Sequence, residues 1–167
     1  MEEIGPPDAH HFKAATGWLE LHCPGDALEE LNLISAANQQ HPAILELRWM
    51  ILAGQEQWEA ALDVATTLLS SAPNHSAGWL HRAYSLRRTP NGGLEKAWEA
   101  LLPAADKFRK EPIIFYNLSC YACQMRKLDE ARQWFRMALK LVGKAEIQGM
   151  ALADEDLEPL WEEIRQL

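Results

Sequence analysis

Cys120-Tyr121-Ala122-Cys123 has the spacing of a redox dithiol. Redox pairs of this kind sit at a helix N-terminus after a strand, where the thiol pKa falls. This pair lies in the middle of a helical run, with no alternating strand pattern before it. A single CxxC also lacks the second ligand pair of a structural zinc site. The remaining metal-type donors, His10-His11 and His22-Cys23, come together only if the first helix hairpin joins them. Ser35, Ser70, Ser71, Ser76, Ser85 and Ser119 lack a nucleophile-elbow context, and no GxxxxGK[ST] phosphate loop occurs. No catalytic residue, metal or cofactor is therefore expected. Arg87-Arg88 remains. It closes a helical run before Thr89-Pro90, where cations complement the helix dipole. Paired guanidiniums are also suited to clamping a carboxylate or phosphate.

Composition narrows the class further. The chain has 167 residues, 48% of them hydrophobic, enough for one compact unit of ordinary size. No apolar run approaches the roughly eighteen residues of a bilayer span. The N-terminal MEEIGPPDAHHF is acidic and polar, unlike a secretory signal. Three cysteines, an odd and sparse number, fit a reducing compartment. The expectation is a cytoplasmic protein. Net charge is −8, unevenly spread: −9 over residues 1–81, +7 over 82–144 and −6 over 145–167. The basic middle could steer a charged partner, but a sequence pI near 5.2 disfavours nucleic acid.

Such residues need elements to position them. Pro6-Pro7-Asp8, Cys23-Pro24-Gly25-Asp26, His41-Pro42, Pro73-Asn74-His75, Pro90-Asn91-Gly92-Gly93, Glu111-Pro112 and Gly143 punctuate the chain. Between them the pattern predicts helices at 8–21, 26–38, 42–54, 57–71, 76–88, 93–108, 112–125, 128–141, 144–152 and 155–166, with Asp8 as first N-cap. No strand is predicted. Ala27, Ala61, Ala97 and Ala131 each open a second helix after a polar turn, at intervals of 34, 36 and 34 residues. A period near 34 signals one two-helix unit, repeated.

The chain resembles the tetratricopeptide repeat (TPR) family. With the alanines at position 20 of the family's unit, the third unit reads Trp79, Ala83, Leu86, Ala97, Leu101 and Ala104, after a two-residue insertion at its turn. The fourth reads Phe115, Leu118, Ser119, Ala131, Phe135 and Ala138, and the second Leu45, Leu52, Ala61 and Pro73. The first, weaker, reads His11, Ala15, Trp18, Ala27 and Leu31. Trp49 stands where a small residue is usual, and Arg48 and Arg82 where leucine is usual. The two arginines are read as buried stems paired with a carboxylate such as Asp63 or Glu30, with a basic groove edge as the alternative.

The resemblance implies an all-α, right-handed α-solenoid of four helix hairpins, at about 8–41, 42–75, 76–111 and 112–145, forming one domain with a cap at 146–167. In the last helix, Leu157, Leu160, Trp161 and Ile164 make the apolar stripe, while Asp154, Glu155, Asp156, Glu158, Glu162 and Glu163 are expected to face water. It also implies a concave groove lined by the first helix of each unit. Carried onto this chain, the groove is Met50, with Ala43, Glu46, Leu47 and Ala53 beside it, then Leu80, His81, Tyr84, Arg87 and Arg88, then Tyr116, Asn117, Cys120 and Gln124, flanked by Ile113 and Cys123. The family's carboxylate-binding pattern is matched only at Asn117, so chaperone-tail binding is not expected. The function implied is non-catalytic recognition of a protein or peptide partner. The alternatives are a dedicated chaperone for a secreted protein and a self-associating scaffold that forms a homo-oligomer.

Overall fold

The computed structural model describes residues 3–167; Met1 and Glu2, which belong to the N-terminal reading above, lie outside the described residues. The chain divides into two compact units, Met1–Ser85 and Leu86–Leu167, with the division falling inside one helix. Among the described residues there is no strand. None of their helices is long and apolar enough to cross a membrane.

The first unit contains α1 (Asp8–Glu20), α2 (Pro24–Leu33), α3 (Pro42–Gly54), α4 (Trp58–Ser71) and most of α5 (Ser76–Arg88). Helix α1 packs on α2 and α3 on α4. Proline begins α2 and α3, where a missing N–H costs nothing and φ is preset. Ala15, Ala27, Leu31, Ile44, Leu47 and Ile51 form a continuous core, with Phe12 and Leu19 packed on it. Leu47 is thus a core residue and not a groove residue: it shares a helix face with Ile44 and Ile51.

Asp8 is not an N-cap. It is the first helical residue, and its buried carboxylate accepts hydrogen bonds from the Ser35 backbone N–H at 2.9 Å and from Asn38 Nδ2 at 2.7 Å. A hydrogen bond from Ser35 Oγ, together with those from Asn38 and the Ser35 N–H, holds the carboxyl below its ordinary pKa. They also organise the 35–40 turn, which is why α2 stops at Leu33 instead of running to 38. The carbonyls left over at the α2 end are satisfied by side chains. Gln39 Nε2 donates to Leu31 O and Ile34 O, at 2.9 and 2.7 Å. Arg48 donates to Asn32 Oδ1, Gln39 Oε1 and Leu31 O, at 2.9, 3.0 and 3.3 Å. The expected carboxylate partner for Arg48 is therefore corrected. A cation at a helix C-terminus meets the negative end of the dipole and needs no acid. Glu30 instead pairs with His11 Nδ1 at 2.8 Å. That pairing takes His11 away from any cluster with His22 and Cys23.

The second unit contains the end of α5, α6 (Leu94–Lys107), α7 (Pro112–Gln124), α8 (Leu128–Val142) and α9 (Lys144–Leu152), followed by a 3-10 segment (Glu155–Leu160) and α10 (Trp161–Arg165). Helix α7 is central, packing on α6, α8 and the 3-10 segment. Trp134 of α8 lies against Trp98 and Phe115, each with ring centroids 6.1 Å apart. The single helix expected at 155–166 is replaced by the 3-10 segment and a five-residue α-helix. Pro159, with no N–H to give, prevents a continuous α-helical ladder there. Leu157, Leu160 and Ile164 are still buried, as the stripe requires.

Each of the four alanines is the fourth residue of its helix and is 0% exposed. The turns before three of them share one geometry. His22, Glu56 and Arg126 adopt left-handed φ of 58°, 57° and 61°. The next N–H then bonds back five residues: Cys23 to Trp18, Gln57 to Leu52 and Lys127 to Ala122. This is the 6→1 closure of a Schellman turn, here without glycine at the left-handed position. The turn before Ala97 closes seven residues back, Gly93 N–H to Leu86 O at 2.9 Å, which absorbs the two inserted residues. Gly93 has φ of 110°, and a Cβ on Gly92 would lie 1.7 Å from Leu86 O. Gly92→Ala is therefore expected to destabilise the protein by about 2–3 kcal/mol, since the obstacle is backbone and cannot move aside. Urea unfolding reads this directly, and an unchanged midpoint would contradict the turn.

Candidate peptide-binding faces

The predicted groove residues fall on α3, α5 and α7, the first helices of their hairpins. In the first unit, Met50 is exposed on α3 and Tyr84 is partly exposed on α5. Leu80 and His81 of α5 are half-buried. Trp49 joins these helices. Its indole stacks on His81 with centroids 3.7 Å apart and planes within 8°, and its Nε1 donates to buried Ser85 Oγ at 2.9 Å. Tyr84 meets Trp49 edge-on at 5.8 Å and Trp58 at 5.9 Å. A tryptophan at a small-residue position is thus accommodated by a hydroxyl and an imidazole one hairpin further on. Glu46 lies 3.4 Å from His75.

Burial under Trp49, with a smaller contribution from His75, pushes the His81 pKa down to about 4. His81 is therefore a neutral aromatic surface at physiological pH and not a cation for an anionic ligand.

In the second unit four predicted groove residues converge on one segment of the chain itself. Arg87, in the last turn of α5, forms a bidentate pair with the Asp156 carboxylate, its NH2 lying 2.6 Å from Oδ1. Tyr116 Oη donates to Asp154 Oδ2 at 2.9 Å. Cys120 Sγ approaches the same oxygen at 3.5 Å. Gln124 Nε2 donates to the Asp156 carbonyl at 3.0 Å. Tyr116, Cys120 and Gln124 are spaced i, i+4, i+8, so they form one stripe along α7. Arg87 also lies over the Tyr121 ring at 5.7 Å. The acidic segment is itself braced, since the Asp156 N–H donates to Asp154 Oδ1 at 3.0 Å.

The expectation that Asp154 and Asp156 face water is thus corrected. Nothing in the local sequence marks them, because they interrupt an apolar stripe as solvated acids do. The legible signal was regional: an acidic tail following a basic segment. Asn117, half-buried, donates to Ile113 O within its own helix and does not join Arg87. Arg88 is half-buried beside Arg87.

Cys120 and Cys123 are 3% and 0% exposed. Burial raises both thiol pKa values, and the Asp154 and Asp156 charges raise Cys120 further. A nucleophilic or metal-binding cysteine needs the opposite environment. Cys120, Asp154 and Asp156 do bring three donor atoms within 4.8 Å of one another. Arg87, however, already neutralises Asp156, and Asp154 already accepts from Tyr116.

No protein-family model matches the chain, and no curated protein matches it. Solved structures do. A thermophilic TPR protein of Thermus thermophilus is 16% identical with a TM-score of 0.71, covering 96% of this chain and 100% of that one. The fold is that of tetratricopeptide repeat proteins. A tetratricopeptide repeat protein of Parabacteroides merdae, 19% identical, gives 0.70 over 96% of this chain and 64% of its own. The structure of Naa15/Naa10 bound to HypK-THB gives 0.62 at 20% identity, over 95% of this chain and 24% of the other. In TPR terms the α7 stripe is a first-helix face, and here it receives a segment of its own chain.

The His81 environment makes a testable statement. The unfolded chain takes up a proton near the ordinary 6.5, whereas the folded chain resists until about 4. Between those values the unfolded state binds more protons, so stability is full above 6.5 and falls as pH drops towards 4. His81→Phe is expected to flatten this part of the pH–stability profile measured by thermal melting. An unaltered acid slope would contradict the stacked, desolvated imidazole.

Proposed function

We propose that the chain is a non-catalytic, cytoplasmic protein-binding module, a single TPR-like domain that recognises a protein or peptide through its first-helix faces. Met50, Leu80, His81 and Tyr84 serve in the first unit, and Arg87, Arg88, Tyr116, Asn117, Cys120 and Gln124 in the second. The observation that carries this reading is chemical. Arg87, Tyr116 and Gln124, chosen for a groove by their position in the repeat, hold the acidic start of the 3-10 segment by side-chain hydrogen bonds. A face that binds its own chain in this way has the donors and the shape to bind a peptide. Naa15/Naa10, a neighbour in fold, is described bound to HypK-THB, which agrees with a protein-binding role. The two CxxC thiols are buried and held protonated, which supports a structural and not a catalytic use.

The first unit offers the more open surface. Met50 is 52% exposed and Tyr84 36%, beside the Trp49 and Trp58 rings. Exposed aromatic and methionine side chains are common anchors in recognition. A Met50→Ala, Tyr84→Ala double variant is expected to keep its fold by circular dichroism and to lose the partners that the wild-type chain co-purifies, scored by quantitative mass spectrometry. Recovery of the same partners in the same amounts would overturn the reading for this face.

A further inference from the structure

The segment seated on α7 shows what kind of ligand the second unit is built to take. Asp154 and Asp156 are the two side chains it presents to the α7 stripe and Arg87, and Leu157 behind them is 0% exposed. Each contact has a partner of matching chemistry. A guanidinium forks onto one carboxylate, a phenol donates to the other, and an amide donates to the Asp156 carbonyl. The Arg87 and Asp156 side chains are only 21% and 24% exposed, so this is a desolvated, directional contact and not a surface coincidence. The segment is continuous with α10, whose Ile164 is 2% exposed, so release of residues 154–157 leaves a second apolar anchor in place.

We infer that Arg87, Tyr116, Cys120 and Gln124 form a recognition site for an acidic Asp-x-Asp-Leu segment of a partner protein, and that residues 154–157 are its built-in occupant. The inference rests on the protein-binding reading and names the partner chemistry for the second unit. Recognition is of internal side-chain carboxylates and a following leucine, not of a chain terminus. Because the resident segment is tethered, its local concentration is on the order of millimolar, so a free ligand competes poorly until the tail is loosened. A partner succeeds by offering the same three side chains within a larger contact.

The test uses the full chain and a fluorescein-labelled peptide with the sequence of residues 151–161, ALADEDLEPLW. The wild-type chain is expected to show no uptake at micromolar concentrations. D154N/D156N, which keeps the tail but removes its two carboxylates, is expected to bind the peptide. Adding R87Q to that variant weakens uptake by about tenfold or more. A peptide with both aspartates changed to asparagine does not bind. Cys120 provides an independent readout, because it lies directly under Asp154. Its alkylation, located by mass spectrometry, rises in D154N/D156N and falls again when peptide is bound. If that variant fails to fold, D156N alone, which removes only the Arg87 pair, carries the same comparison.

Three results would overturn the inference. One is a folded variant in which Cys120 becomes reactive yet no peptide binds. Another is a variant in which Cys120 stays protected, so that the carboxylates do not hold the segment. The third is uptake that proceeds only through exchange of tails between copies, seen as a dimer by light scattering. Any of these leaves the Met50 and Tyr84 face unaffected, so failure here is distinct from failure of the protein-binding reading.

Discussion

A methyl group is the largest side chain present at the fourth residue of each second helix. Ala27, Ala61, Ala97 and Ala131 are wholly buried there. Where α7 and α8 pack, the approach is close enough for buried Ser119 Oγ to donate to the Ala131 carbonyl at 2.8 Å. That contact fixes the rotation of α7. With about 100° per residue, turning Ser119 inward places Tyr116, Cys120 and Gln124 on one stripe roughly 60° to 140° away. The stripe is where Asp154 and Asp156 arrive. The position of the alanine thus determines, through helix geometry alone, which side chains are available to bind anything.

The energetics divide between anchoring and address. Leu157, Leu160 and Ile164, each buried, supply the apolar gain, about 1.5–3 kcal/mol apiece. The Arg87–Asp156 pair and the Tyr116–Asp154 bond add less, since desolvation offsets much of the attraction. What they specify is register. A slip by one residue in either direction would bring a carboxylate, Asp156 or Glu158, to the buried place of Leu157. In the first unit Arg48 illustrates the converse case. It binds carbonyls and amides at the end of α2, stabilising a helix terminus without any counter-charge.

The repeat was legible because its period is imposed by packing, and packing constrains residue size at fixed spacing. Even the Asn91-Gly92-Gly93 insertion could be read, and its closure seven residues back replaces closure five residues back. Less legible were features set by contacts distant in sequence. Nothing local announces that Asp8 will bind Ser35 and Asn38 and so shorten α2, or that Pro159 will divide the cap. Trp49 could be seen as a departure, but not that His81 and Ser85 would receive it. Asp154 and Asp156 were the largest gap, because an acid between apolar residues looks solvated until its partner's position is known. His22, Glu56 and Arg126 take left-handed φ without the glycine that would have marked those turns.

The Arg87–Asp156 contact ties the acidic segment to the candidate binding face. A double-mutant cycle measures it in isolation: R87Q, D156N and the combined variant, each unfolded in urea beside the wild-type chain. A coupling energy of about 1–3 kcal/mol is expected for a partly desolvated bidentate pair. Additive effects, with no coupling between the two positions, would contradict the seating of residues 154–157 on α7 and the recognition chemistry drawn from it.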